Sequence, residues 1–222
     1  MQLNSDFSKK AIVNSNDEPW VASPLPGVER RMLERIGGEH ATRATTIVRY
    51  KPGSRFSAHS HGGGEEFIVL EGTFSDEHGD YKTGTYVRNP VGSKHSPFSE
   101  DGCTIFVKLQ QMEPEDQDFV RIDTTSASWL PGLVDGLEVM PLHQYGAENI
   151  ALVRWQPGTQ FQPHIHPLGE EILVLEGTFE DEHGLYPKGT WLRSPPGSTH
   201  TPFTTQGCTI YVKTGHLGAM HE

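Results

Sequence analysis

Cysteine is scarce in this 222-residue chain, which carries only Cys103 and Cys208. Two cysteines cannot build a disulfide framework, and they form no CxxC pair of the kind that marks a zinc ribbon or a redox motif. Each stands in the same context, GCTI followed by an aromatic residue, Val and Lys, so both read as small buried residues on matching strands. Long apolar runs are missing too. No stretch approaches the roughly 20 residues of a membrane-spanning helix, and MQLNSDFSKKAIV lacks the apolar core of a signal peptide. The expected compartment is therefore the cytoplasm, with no membrane partner. Positive charge is outweighed, with 18 Lys and Arg against 29 Asp and Glu for a net charge of -11, and no basic run offers a local exception. A phosphate backbone would be repelled, so nucleic acid is not expected as a direct partner.

Helical periodicity is also absent, while turn formers are abundant at 24 Gly and 16 Pro. Segments such as ATTIVRY, NIALVRW, EFIVLEGTF and EILVLEGTF are rich in β-branched and aromatic residues and are bounded by turn signals. This pattern predicts an all-β protein of many short strands. The chain also repeats itself: LPG at 25–27 matches LPG at 130–132, His59 matches His164, His95 matches His200 and Cys103 matches Cys208, each pair 105 positions apart. An internal duplication follows, with about seven or eight strands per copy, the count of a jelly roll. The predicted organisation is an arm over 1–24, a first barrel over 25–109, a linker over 110–129 and a second barrel over 130–222. The arm, with Trp20 and several prolines, is expected to lie extended over a barrel edge. In the linker FVRI offers a short strand, and its acidic residues are expected to be solvated.

The chemistry is concentrated in HSHGGGEEFIVLEG, from His59 to Gly72, and its copy HIHPLGEEILVLEG, from His164 to Gly177. Residues i and i+2 of a strand share a face, roughly 6.5 Å apart. His59 and His61 can thus approach one cation from one side, as can His164 and His166. Imidazole suits zinc, copper, iron and nickel, and a carboxylate makes a mixed N/O site. The doubled acids Glu65-Glu66 and Glu170-Glu171 both offer that carboxylate, and the glycines at 62–64 would let the chain turn it back toward the ion.

A second motif, G-x5-P-x-G-x2-H, occurs at Gly84, Pro90, Gly92 and His95 and recurs at Gly189, Pro195, Gly197 and His200. Together the motifs resemble the cupin superfamily, whose first motif G-x5-HxH-x3-E-x6-G is matched by Gly53, His59, His61, Glu65 and Gly72 and by their counterparts in the second copy. The resemblance implies two tandem cupin barrels, each holding an ion through two His and one Glu of the first motif and a His of the second. The expected ligands are His59, His61, Glu65 and His95, and His164, His166, Glu170 and His200. Strand parity and the family spacing both select Glu65 and Glu170, leaving Glu66 and Glu171 as surface or interface ion-pair partners. The same parity turns Phe67, Val69, Ile172 and Val174 inward, and leaves Ile68, Leu70, Leu173 and Leu175 on an outer face that needs a cover. His78 and His183 are expected to be exposed turn residues, and Arg88 and Arg193 to pair with a nearby Glu. His40, His143, His216 and His221 receive no role.

Within the superfamily, W-x3-PLPGV near residue 20, HSHGGGEEFIVLEGTFSDEHGDY and GTYVRNPVGSKHSPFSEDGCTIFVK are similar to the cupin-like domain of ChrR-type anti-sigma factors. That resemblance implies zinc on the matching His, His, Glu and His, with iron, nickel or manganese as alternatives, and a regulatory role in stress sensing. Those proteins carry a helical sigma-binding domain. Here a short arm and a second cupin copy stand instead, so sigma-factor binding is not expected. The site is also similar to those of cupin dioxygenases, which implies the alternative of an enzyme acting on a diketone or aromatic small molecule held at the metal. No catalytic residue beyond the ligands is identifiable, and a monomer and a homodimer both fit.

Overall fold

The computed structural model describes residues 1–218, so His221 lies outside the described residues. Every regular element among them is a strand or turn, and no helix is long and apolar enough to cross a membrane. The chain forms two compact units, one of Met1–Ser5 with Glu18–Ala127, the other of Asp6–Asp17 with the chain from Ser128 onward.

In the first unit the main sheet runs in the spatial order Gln2–Leu3, Val28–Gly37, Ala41–Tyr50, Cys103–Leu109, Glu65–Asp76, Thr85–Asn89, Val120–Asp123, with antiparallel neighbours. Glu65–Asp76 is the spine. Its first half pairs with Cys103–Leu109 and Thr85–Asn89, and its second half with Gly79–Lys82 and Phe98–Ser99. Between the halves the register slips so that Leu70 is unpaired against Cys103–Leu109, a bulge that bends the strand. Gly72 follows it at φ 75°, where a Cβ would meet the Gly102 carbonyl oxygen at 2.2 Å, so only glycine fits. The inward face of the spine packs Phe67, Val69 and Phe74 against Tyr50, Ile105 and Val107.

The second unit repeats this plan, in the order Leu130–Pro131, Leu137–Tyr145, Glu148–Trp155, Cys208–Thr214, Glu170–Asp181, Thr190–Ser194, Ala11–Asn14. Its core joins Ile172, Val174 and Phe179 to Trp155 and Ile210. Both units are jelly-roll barrels, as the duplication predicts. In each, the outermost strand comes from outside the contiguous repeat: Val120–Asp123 lies on Thr85–Asn89, and Ala11–Asn14 lies on Thr190–Ser194.

Three expectations are corrected. The 105-residue offset does not extend back to LPG. Trp20 and Trp129 both stack under an arginine, Arg49 and Arg154, and Gly27 and Gly136 occupy equivalent turns against Ser54 and Thr159. These pairs are 109 positions apart, and the two LPG triplets are out of register. The difference is taken up in one hairpin. Ile36 pairs with Arg43 across residues 37–42, whereas Tyr145 pairs with Glu148 across only Gly146 and Ala147. Second, the acidic linker is not wholly solvated: Asp116 is buried against Arg88.

Third, Glu66 and Glu171 are not surface residues but are 2% and 0% exposed. Glu66 accepts from Arg88 Nη1 at 2.9 Å, and Glu171 accepts from Trp191 Nε1 at 2.7 Å and contacts His216 Nε2 at 3.1 Å. A carboxylate on the outer face of a barrel strand stays charged there only because a cation or N–H donor is buried with it. The outer-face residues Ile68 and Leu173 are covered within this chain, where both are buried. His78 and His183 are exposed turn residues.

Candidate metal centres

The candidate ligands of each site arrive on three pieces of backbone. His59–Ser60 pairs antiparallel with Lys94–His95, placing His59 opposite His95, and in the second barrel His164 lies opposite His200. His61 and His166 follow two residues after the first histidine. Gly64 and Gly169, at φ 76° in both copies, then turn the chain into the spine so that Glu65 and Glu170 open it. Gly62 and Gly63 are replaced by Pro167 and Leu168 in the second copy, so the turn depends on the third glycine alone.

In the second barrel His164, His166, Glu170 and His200 each place a donor atom within 4.8 Å of all the others. His166 Nε2 lies 3.1 Å from His200 Nε2, and the Glu170 oxygens lie 3.5 Å from each of those nitrogens. In the first barrel the three histidines meet the same limit, and Glu65 Oε2 stands 3.5 Å from both His61 Nε2 and His95 Nε2. Donors bonded at about 2.1 Å to one ion lie roughly 3.0 to 3.4 Å apart, for right-angle and tetrahedral arrangements. The observed separations suit a shared ion. The nitrogens support the same conclusion: His61 Nε2 and His95 Nε2 are buried without a hydrogen-bond partner, a costly arrangement for two imidazoles unless something else engages them.

The opposite edge of each ring fixes its direction. His59 Nδ1 and His164 Nδ1 donate to the carbonyls of Ser57 and Gln162 at 3.0 Å. His95 Nδ1 donates to Asp76 Oδ2 at 3.1 Å, and His200 Nδ1 faces Asp181 Oδ2 at 3.5 Å. With Nδ1 protonated in this way, Nε2 presents a lone pair to the centre. The two aspartates stand two residues before the turn histidines His78 and His183. They end the spine strand, and each is itself held, Asp76 by the His78 amide and Tyr81 hydroxyl, Asp181 by the His183 and Gly184 amides and Tyr186 hydroxyl. The signal that could have found them was their recurrence at the end of a motif strand in both copies. Asn89 was also missed; it donates to Glu65 Oε2 at 2.9 Å, and Arg121 Nη2 donates to the Asn89 side-chain oxygen at 2.5 Å. Ser194 stands at the corresponding place in the second barrel.

The electrostatics are those of a cation site. Burial holds His61 below its usual range, partly opposed by the Glu65 charge. Burial, with repulsion from His200 and His164, takes His166 down to about 3, and burial lifts Glu170 to about 7. Burial opposes ionisation of Asp76, but hydrogen bonds from His95, the His78 amide and Tyr81 hold it below the usual carboxylate range. Neutral imidazoles are the form that ligates, and a cation placed among them would favour the ionised Glu170.

The first barrel also encloses a cavity of about 310 Å³ that reaches His59, His61 and Glu65. Its walls are largely apolar, with Val48, Phe56, Ile105 and Val107 among them, while Arg30, Arg35, Glu39 and His40 line another part. Tyr50 and Val28 border it, and the corresponding residues of the second barrel are the larger Trp155 and Leu137.

Two tandem jelly-roll barrels, each gathering histidines and a glutamate at one point, define a bicupin with candidate sites for divalent metal. Comparison with known proteins gives the family. The model of the ChrR Cupin-like domain matches residues 8–113 and again 117–218, and the chain belongs to that family. Comparison with curated proteins gave no match. Among solved structures the chain is similar to a candidate dioxygenase of Nostoc punctiforme, at 16% identity and a TM-score of 0.78, covering 96% of this chain and 85% of that one. It is also similar to oxalate decarboxylase of Lactobacillus farciminis, at 12% identity, TM-score 0.67 and coverage of 93% and 86%. A cupin 2 conserved barrel protein of Leptotrichia buccalis matches at 11% identity, TM-score 0.66 and coverage of 96% and 99%. At these identities the likeness is one of fold.

Proposed function

We propose that this bicupin is a metal-dependent enzyme whose first barrel admits a small oxygen-bearing molecule to a divalent ion held by His59, His61, Glu65 and His95, with dioxygen as co-substrate. The observation that carries this reading is the cavity of about 310 Å³ against those residues, at the lower end of the roughly 300–1,000 Å³ usual for ligand sites. A bound divalent ion supplies Lewis acidity toward a carbonyl or enolate oxygen. The protein's part is to aim three imidazole Nε2 atoms and one carboxylate at a point, and to exclude water from the substrate with Val48, Phe56, Ile105 and Val107. Iron is the metal this reading favours. The second site, on His164, His166, Glu170 and His200, is not required for that reaction.

The test is oxygen uptake by iron(II)-loaded protein with pentane-2,4-dione, pentane-2,3-dione and 2-oxobutanoate as probes. Uptake that disappears in His61→Ala and persists in His166→Ala is the expected result. Absence of probe-dependent uptake, or equal loss in both variants, contradicts it.

A second reading is favoured by the match of both repeats to the ChrR Cupin-like family: a zinc-holding regulatory protein. It expects zinc in protein purified without added metal and no oxygen uptake. A thiol would not be the sensing group in either reading, because burial pushes the Cys103 thiol up to about 11 and the Cys208 thiol up to about 12. Both are free, which supports a reducing compartment such as the cytoplasm. Burial of Ile68 and Leu173 within one chain supports a monomer.

A further inference from the structure

The cavity of the first barrel is lined by two arginines and two glutamates, and only one of those glutamates stands beside the arginines. Arg30 and Arg35 both line it, with Glu39 as the one acid beside them, since the Glu65 carboxylate is directed at the histidine cluster. Arg30 binds Glu39 through Nη1 and Nη2 at 3.0 and 3.2 Å, and its Nε is buried without a hydrogen-bond partner. Arg35 spends its donors on neutral carbonyls, Nε and Nη2 on Gly38 at 3.1 and 2.6 Å and Nη2 on Glu39 at 3.0 Å. Burial and the nearby Arg30 charge depress the Arg35 pKa, partly opposed by Glu39. Two guanidiniums share one carboxylate, and a divalent ion would add further positive charge.

The second barrel shows that the fold does not require these residues. Opposite Val153, where the first barrel pairs Arg30 with Val48, stands Val139. Opposite Asn149, where the first pairs Arg35 with Ala44, stands Gln144. The connection that carries Glu39 and His40 is the one shortened to Gly146 and Ala147. One hairpin of the first barrel thus differs from its counterpart by two arginines and a longer turn, and Arg30, Arg35, Glu39 and His40 of it line the cavity that reaches the candidate metal site. Structural economy would have left these positions apolar or neutral, as in the second copy. Guanidinium groups matched to fewer carboxylates in a confined, partly apolar space recognise an anion, and their planar forks suit a carboxylate.

We propose that the first-barrel cavity selects a small 2-oxo carboxylic acid, whose carboxylate is drawn to Arg30 and Arg35, whose oxo group is directed to the histidine and glutamate cluster, and whose alkyl end packs on Val48 and Phe56. This rests on the reading that the first barrel admits a small molecule to its ion, and it replaces the diketone class with a carboxylate class. The volume of about 310 Å³ confines the ligand to a short chain.

The experiment is isothermal titration calorimetry of the full chain loaded with zinc, which binds without turnover, using 2-oxobutanoate and its uncharged near-isostere pentane-2,3-dione. The acid is expected to bind about tenfold more tightly or better, the value of one charge-assisted contact. The double variant Arg30→Val, Arg35→Gln, which installs the second barrel's residues, is expected to lose that preference with its zinc content unchanged. Arg35→Lys is expected to keep part of it, a control should the double variant fold poorly, and the wild-type ratio requires no variant at all. Tighter or equal binding of the dione, abolished in His61→Ala, overturns the carboxylate class and leaves the enzyme reading standing. Retention of the preference in a folded double variant also overturns it. Binding of neither probe overturns both readings together.

Discussion

Neighbouring carboxylates in this protein have opposite work. Glu65 opens the spine strand facing His61 and His95, while Glu66, one residue on, is buried on the other face against Arg88, which also holds Asp116. Glu65→Ala is therefore expected to cost the first site its ion and leave the protein folded. Glu66→Ala is expected to keep the ion but destabilise the protein by about 1–3 kcal/mol, because it removes one of the two carboxylates that hold the buried Arg88 guanidinium. Metal analysis beside a urea titration separates the two. At the same scale, Asp76→Asn should weaken metal binding to the first site by about 10–100-fold, since it removes the carboxylate that orients His95, and chelator competition measures this. Cys103 and Cys208 should resist a thiol reagent in the native protein and react on unfolding; reaction at native rates with exposed thiols would contradict the burial described. The histidines were legible because alternate residues of a strand share a face. Asp76 and Asn89 were not, because they end strands whose motifs do not include them and their role depends on tertiary distance.

The elements that complete each barrel are the least legible part of the chain. AIVN at 11–14 and VRID at 120–123 are short, and nothing in their alternation says which sheet receives them. Register alone shows Ala11–Asn14 along Thr190–Ser194 and Val120–Asp123 along Thr85–Asn89. Each segment also brings a cation to the groups around the metal site. Arg121 donates to Asn89 and to the Tyr81 hydroxyl, and Lys10 reaches Asp181 at 3.4 Å and Tyr186 at 3.3 Å. Lys10→Ala is thus expected to weaken the second site and to leave the first unchanged. Site-resolved metal titration checks this, and equal loss at the first site would contradict it. The mistaken register of the LPG triplets has a related cause. A hairpin can change its turn length without disturbing either strand, and an identical triplet then aligns by chance where Trp20 and Trp129 show the true correspondence.

At the scale of the whole molecule, duplication produced two barrels with matching candidate ligands and different surroundings. The repeat, the all-β class and the paired motifs could all be read from the sequence because they are local and occur twice. The asymmetry could not. Arg30 and Arg35 lie in VERRMLERIG, where charged residues on a strand look like a solvated face, and only the closed barrel shows that they line a cavity. Each core packs aromatic and branched residues without help from an ion, so chelation should leave the strand content intact. The central claim is that two independent metal centres exist, one per barrel. It is tested most directly by elemental analysis of the wild type, His61→Ala and His166→Ala, each verified as folded. The account predicts two ions per wild-type chain and the loss of one, a different one, in each variant. A metal-free wild type, or a single variant that loses both ions while folded, would contradict it.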